Sequence, residues 1–261
     1  MKPTDIFAIL EREVAPVSLS DELCAKYGAY DNSGIILNCG NDVSGALFSL
    51  DLDMSAAKKA AELGYNLIVT HHPAIYSPVK RIDCTCGSST EALAFCATRG
   101  ISVISMHLNF DAAPKGIDYY LMKGLGGEEA EALLNPLSSG GYGRVYAVPA
   151  QSFGQFSQKA AAEFESGHIR FYGGRQVKKA ASFCGAGCDD EAIAFAISRG
   201  ADTFVSADMK HHQITALISA GMNVVEMTHY CSEVYGFARI YASINGSLGV
   251  PSAFFKEEML L

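Results

Sequence analysis

Six of the chain's seven histidines stand in four short clusters, and two of these clusters place a carboxylate four residues after a histidine. The clusters are His71-His72-Pro73, His107 to Asp111, Asp208 to His212, and His229 to Glu233. Residues four apart share a face on one turn of helix, so His107 with Asp111, and His229 with Glu233, can reach a common ion or ion pair. Imidazole mixed with carboxylate suits zinc, iron or manganese. A centre of two ions wants terminal imidazoles and at least one carboxylate able to bridge roughly 3.5–4 Å. His71, His72, Asp111, His229 and Glu233 meet that need and predict two divalent ions per chain. His107, Asp208 and His212 are then left to orient the ligands from behind.

Other chemistries fit less well. Gly-x-Ser-x-Gly is absent, which removes a nucleophile elbow, and so are His-Glu-x-x-His and an EF-hand loop. Cys231 beside His229 could form a nucleophilic dyad, but it would stand between two ligands. Cys84 and Cys86 make a soft-metal pair without the second pair that a structural zinc site requires. Gly185-Ala186-Gly187 ahead of Asp189 invites a phosphate-loop reading. The loop lysine is missing and Asp189-Asp190 would repel phosphate, so a tight turn is expected. Tyr230 or His107 could supply a proton, and the spacing does not choose between them.

Each cluster is positioned by the same grammar of helix, glycine, buried strand and polar residue. Gly64 leads through Leu67-Ile68-Val69 to His71, and Gly100 through Val103-Ile104 to His107. Gly200 leads through Phe204-Val205 to Asp208, and Gly221 through Val224-Val225 to His229. Glycine takes the left-handed position after a helix without steric cost, and the short apolar runs read as interior strands. Open α/β sheets gather their sites where such strands end. Adjacent imidazoles at a strand end should diverge, which suits two ions side by side. The helices before Gly100 and Gly200 match in kind, Glu91-Ala-Leu-Ala-Phe-Cys-Ala-Thr-Arg99 against Glu191-Ala-Ile-Ala-Phe-Ala-Ile-Ser-Arg199. Equivalent units are therefore expected in equivalent places.

Upstream, Ile6, Ile9, Leu10 and Val14 form the apolar face of a first helix, capped by Thr4 or Asp5 and ended by Pro16. Asp31-Asn32-Ser33-Gly34 is a turn into a strand at Ile35–Leu37, and Gly45–Leu52 reads as its hairpin partner. Tyr76 to Ser89 reads as a loop. Residues 126–187 carry no candidate ligand. They predict strands at Val145–Pro149, Ile169–Tyr172 and Ala180–Cys184 and a helix at Phe153–Phe164. The expected class is α/β, two interlaced α/β domains with a metal site at strand ends. Residues 1–125 with 188–261 form the metal-bearing part, and 126–187 a smaller inserted α+β segment.

With 261 residues and 49% hydrophobic content, the chain can bury a large core. A formal charge of −8 argues against a protein built to coat nucleic acid. Asp5, Glu11, Arg12 and Glu13 in the first amphipathic stretch do not resemble a signal peptide, and no apolar run reaches membrane-span length. A soluble, cytoplasmic protein is expected. Eight cysteines are diluted through the chain, and Cys39, Cys96 and Cys184 fall in apolar runs as small core residues.

Taken together, the motifs resemble the NIF-three-like family, also called GTP cyclohydrolase 1 type 2 homologues or dinuclear-metal-centre hexameric proteins. The resemblance spans nearly the whole chain. It is carried by Asp31-Asn-Ser-Gly34, Val69-Thr-His-His-Pro73, His107-Leu-Asn-Phe-Asp-Ala-Ala-Pro114, Gly185-Ala-Gly187, Ser206-Ala-Asp-Met-Lys-His-His212 and His229-Tyr-Cys-Ser-Glu233. It implies that His71, His72, Asp111, His229 and Glu233 bind two metals, with Glu233 as the bridge, in a toroidal homohexamer. Glu226, Met227-Thr228 and Ser232 depart from the family pattern, and none of these departures removes a ligand. The activity implied is metal-dependent hydrolysis of a nucleotide or phosphoester-type small molecule. The alternative is a non-enzymatic, ring-shaped scaffold that handles metal or a partner protein.

Overall fold

The computed structural model describes residues 1–85 and 89–260. Cys86 lies outside the described residues, and with it the Cys84/Cys86 pairing. Packing divides the chain into two units, Met1–Ala113 with Phe237–Lys256 and Pro114–Gly236 with Glu257–Leu261. These limits differ from the expected 1–125 with 188–261. Residues 126–187 do not form a separate insert, because β8 (Val177–Ser182) lies parallel to β9 (Thr203–Ala207) within one sheet.

The first unit runs α1 (Pro3–Glu13), α2 (Ser18–Tyr27), β1 (Gly34–Leu37), β2 (Ala46–Ser49), α3 (Met54–Glu62), β3 (Leu67–Thr70), α4 (Ser89–Thr98), β4 (Ser102–Ser105) and α5 (Leu108–Ala112). Ile6, Ile9 and Leu10 of α1 are buried as expected. Asp5 is not the cap residue itself but reaches back to accept the N–H of Lys2 at 2.7 Å. The sheet order is β1-β4-β3-β2-β11, where β11 is Ser252–Phe254. Strands β2, β3 and β4 are parallel and fully buried. Leu47, Ile68 and Val103 stand in register on one face and pack against Ala56, Ala57 and Ala60 of α3 and Ala92 and Cys96 of α4. On the other face Phe48 meets Phe237, with ring centroids 6.0 Å apart.

One expectation is corrected here. β1 pairs antiparallel with β4, and β2 lies beyond β3, so β1 and β2 form no hairpin. Burial at every position of β2, Ser49 included, marks a strand covered on both faces, as in parallel sheets. β1 is only half-buried, as suits an edge.

The second unit runs α6 (Ile117–Gly124), β5 (Ala132–Pro136), β6 (Gly141–Gln151), α7 (Phe153–Glu163), β7 (Arg170–Tyr172), β8, α8 (Asp190–Ser198), β9, α9 (His211–Ser219), β10 (Asn223–Met227) and the start of α10 (His229–Ile244). The boundary between units falls inside α10, after Gly236. The sheet order is β5-β6-β8-β9-β10-β7. Ala181, Phe204 and Val224 stand in register and pack with Ala192, Ile193 and Ala196 of α8 and Leu217 of α9.

Each unit thus contains the same chain path. An antiparallel edge strand (β1 or β7) is followed by strand, helix, strand, helix, strand, and the last strand returns to pair with the edge. By this path α4 corresponds to α9, and α8 to α3. The matched sequences of α4 and α8 therefore occupy different places, against expectation. Their likeness reflects a shared task, a helix closed by a glycine of positive φ (Gly100, +68°; Gly200, +70°) that feeds a buried parallel strand.

Candidate metal centre

In the first unit β3 ends at Thr70 and the chain bends through His71 and His72. The bend takes the pair out of strand alternation. The rings lie side by side with centroids 4.9 Å apart, instead of diverging. β4 delivers His107, whose ring centroid is 5.2 Å from that of His71 and 5.8 Å from that of His72. His71, His72 and His107 each offer a ring nitrogen within 4.8 Å of the others. Asp111, on the short α5, is buried, and its Oδ1 is 3.5 Å from Nε2 of His71.

The opposite ring nitrogens fix the tautomers. Nδ1 of His71 is 3.0 Å from the carbonyl oxygen of Met106. Nδ1 of His72 is 2.7 Å from Oδ1 of Asp51, and Nδ1 of His107 is 2.8 Å from Oδ1 of Asp31. A carbonyl or a carboxylate can only accept, so Nδ1 donates its proton and Nε2 keeps the lone pair that a metal needs. Burial alone would raise Asp31, but the hydrogen bond and charge of His107, with the Ser33 hydroxyl, outweigh it and hold the carboxyl at about 2. Ser33 completes the support. Its hydroxyl donates to Asp31 at 2.6 Å and accepts the backbone N–H of His107 at 2.9 Å.

In the second unit β10 ends at Met227 and α10 opens on His229. One turn later, Oε1 of Glu233 lies 3.1 Å from Nε2 of His229, and Glu233 is 2% exposed. Nδ1 of His229 is 2.6 Å from Oδ2 of Asp208, the residue just past β9. The Gly185-Ala186-Gly187 segment is the tight turn expected. Gly185 has φ +58°, and a Cβ there would collide with Oε1 of Glu233. Its N–H donates to Ser232 Oγ at 2.9 Å. The first turn of α8 is capped by Asp189, which accepts the N–H of Ala192 at 2.7 Å, so a carboxylate stands where a phosphate would have to sit.

Topology makes the two halves alike. His107-x-x-x-Asp111 follows β4 and His229-x-x-x-Glu233 follows β10, the equivalent strand. Asp208 holds the ring of His229 through Nδ1. His107 is held by its own carboxylate just as His72 and His229 are, and it stands with His71 and His72 in a group suited to an ion. His212 is exposed at the start of α9, and no group of described residues suited to an ion includes it. The side chain that α9 buries there is Gln213, which donates to the carbonyl of Cys188 at 2.6 Å. Cys231 is fully buried, with its thiol 4.0 Å from the carbonyl oxygen of Phe164, a packing position and not a nucleophile's.

Asp31 and Asp51 are the orienting residues that the spacing does not reveal. Asp51 carries a usable signal, since it stands at a strand end like the histidines. Each unit's donors suit a divalent ion: three imidazoles presenting Nε2 with the buried Asp111 in the first, and Nε2 of His229 with the buried Glu233 in the second.

Residues 1–258 match the Duf34/NIF3 (NGG1p interacting factor 3) family. A Helicobacter pylori protein called GTP cyclohydrolase 1 type 2 is 30% identical over 220 residues, 83% of each chain. A Campylobacter jejuni homologue of that name is 28% identical over 242 residues, covering 90% of this chain and 88% of its own. Among solved structures, a hypothetical protein of Staphylococcus aureus superposes with a TM-score of 0.83 at 22% identity, covering 98% of this chain and 97% of its own. Reduced HcgD from Methanocaldococcus jannaschii does so with 0.80 at 24% identity, covering 98% of both chains. Among the described residues no helix is long and apolar enough to cross a membrane.

Proposed function

The chain belongs to the Duf34/NIF3 family, and from that premise we propose that it is a dinuclear metal-dependent hydrolase acting on a nucleotide or phosphoester-type small molecule. The proposed ligands of two zinc, iron or manganese ions are His71, His72 and Asp111 of the first unit with His229 and Glu233 of the second. Glu233 is the proposed bridge. The observation that carries this reading is the uniform tautomer of four imidazoles, each held at Nδ1 by a carboxylate or carbonyl. Histidines that serve only packing need no such uniformity.

When bound, a pair of divalent ions lowers the pKa of a shared water and polarises the group under attack. The protein's own part is support. Asp31, Asp51 and Asp208 fix the tautomer and orientation of their imidazoles. Burial of Asp111 beside His71, and of Glu233 beside His229, lowers the local dielectric and strengthens the charge interactions within each pair. The relatives' name supports a purine nucleotide among the substrates to be tried.

The test is elemental analysis of protein purified without chelator, followed by a screen of nucleotides and phosphoesters with metal-loaded and metal-stripped protein. Two equivalents of metal and metal-dependent turnover are expected. A stoichiometry near zero after reconstitution with zinc, iron and manganese would refute the centre. Two ions without turnover across the screen would leave the metal-handling scaffold in its place.

A further inference from the structure

The second unit holds a cleft of about 500 Å³ whose lining includes His168, Arg170, Asp208, Glu226, Thr228 and His229. Its size falls within the range of small-molecule sites, about 300–1,000 Å³. His229 and Asp208, already described, share this lining with Arg170 and with His168, the histidine outside the four clusters. Arg170 opens β7 and stands in register with Glu226 on β10. Oε2 of Glu226 accepts the Tyr172 hydroxyl at 3.0 Å and Nη1 of Arg170 at 3.4 Å.

This pair is not explained as a stabilising contact. The Arg170 side chain is 71% exposed, and exposed ion pairs contribute little to stability. Its geometry suits a receptor better. Glu226 is only 14% exposed at the side chain and is fixed by Tyr172, so it holds one corner of the guanidinium still. The remaining N–H donors keep the planar fork that matches an oxyanion.

We propose that Arg170 and His168 bind the phosphate group of a small substrate whose reacting end extends to His229. The reacting end rests on the hydrolase reading, and the phosphate end does not. Glu226 positions the arginine but also repels the anion, so it tunes affinity downward. Glu226→Gln keeps an acceptor for Tyr172 while removing the charge.

Titration of inorganic phosphate into the full chain, as isolated and after metal removal, tests this at low ionic strength. Arg170→Gln should weaken phosphate binding at least about ten-fold and His168→Gln several-fold, while Glu226→Gln tightens it. Metal content and circular dichroism should not change. Wild-type affinity in Arg170→Gln, absence of binding at millimolar phosphate, or weakening in Glu226→Gln would each overturn the proposal. If phosphate binds as expected but nothing is turned over, the hydrolase reading fails and the anion site stands. If turnover is found and Arg170→Gln keeps the wild-type KM, the anion site fails and the hydrolase reading stands.

Discussion

Asp208 takes up a left-handed backbone, φ +50°, and from it places Oδ2 2.6 Å from Nδ1 of His229. A non-glycine residue there costs of order 1–3 kcal/mol, and the exposed contact itself returns little. The conformation therefore serves the site at some expense in stability. Asp208→Gly should relieve the strain, leaving the metal-free protein as stable or up to about 1 kcal/mol more so, while metal affinity falls about 10–100-fold. Urea unfolding without metal, beside a metal competition titration, measures both. A destabilised variant with wild-type affinity would contradict the argument.

Gly185 and Gly64 separate crowding from backbone strain. Both have positive φ, +58° and +71°, but a Cβ at Gly185 would strike Glu233 whereas one at Gly64 meets nothing within 4 Å. Both alanine variants should lose about 1–2 kcal/mol through the left-handed backbone. Gly185→Ala alone should also lower metal affinity, because Glu233 must move. Equal metal affinity in the two variants would show that Gly185 is not a shelf for Glu233.

The histidine clusters can be read from the chain because a strand end announces itself locally, by a glycine, an apolar run and a polar residue. Orienting residues depend on long-range pairing. Asp51 follows β2, and only the parallel register Ser49↔Thr70 brings it beside His72; a hairpin reading of β2 hides it. Asp31 looks like a turn residue until the antiparallel pairing Gly34↔Ser105 sets its segment against that of His107. His212 shows the reverse case. It is close in sequence to Asp208, but the turn into α9 leaves it exposed. The internal duplication is also disguised, since the two helices most alike in sequence, α4 and α8, are not the two that correspond in the chain path.

Asp31 makes the stability pH-dependent with a definite sign. Its carboxyl is held at about 2 in the folded chain, below its usual 3.8. The unfolded chain therefore binds more protons between these values, and stability rises with pH through that window. The contribution, about 2 kcal/mol for a side chain 2% exposed, is complete above pH 4 and disappears as pH falls towards 2. Asp31→Asn should be less stable than the wild type by about that amount at pH 7, and the gap should close on acidification. Urea midpoints at pH 7, 4 and 3 would show it. A gap that stays constant across this range would mean that Asp31 acts through packing and not through its charge.

Glu233 should matter more to metal content than any other single ligand. If it bridges, it alone touches both ions, whereas each imidazole serves one. Two dications about 3.5–4 Å apart repel strongly even at an effective dielectric near 20, and the charge between them is what offsets that repulsion. Glu233→Gln keeps the size and one oxygen but removes that charge, so both sites should lose occupancy. His72→Ala removes one terminal nitrogen and leaves Asp51 without its partner, so about one ion should remain. The position of Glu233 is well determined, by the α10 turn that carries it from His229 and by Gly185 behind it. A loss on Glu233→Gln is then a matter of charge and not of misplacement. Metal analysis and anomalous scattering on both variants decide the matter. Two ions held at wild-type affinity by Glu233→Gln would remove Glu233 as the bridge and leave Asp111, the other buried carboxylate, to hold the pair.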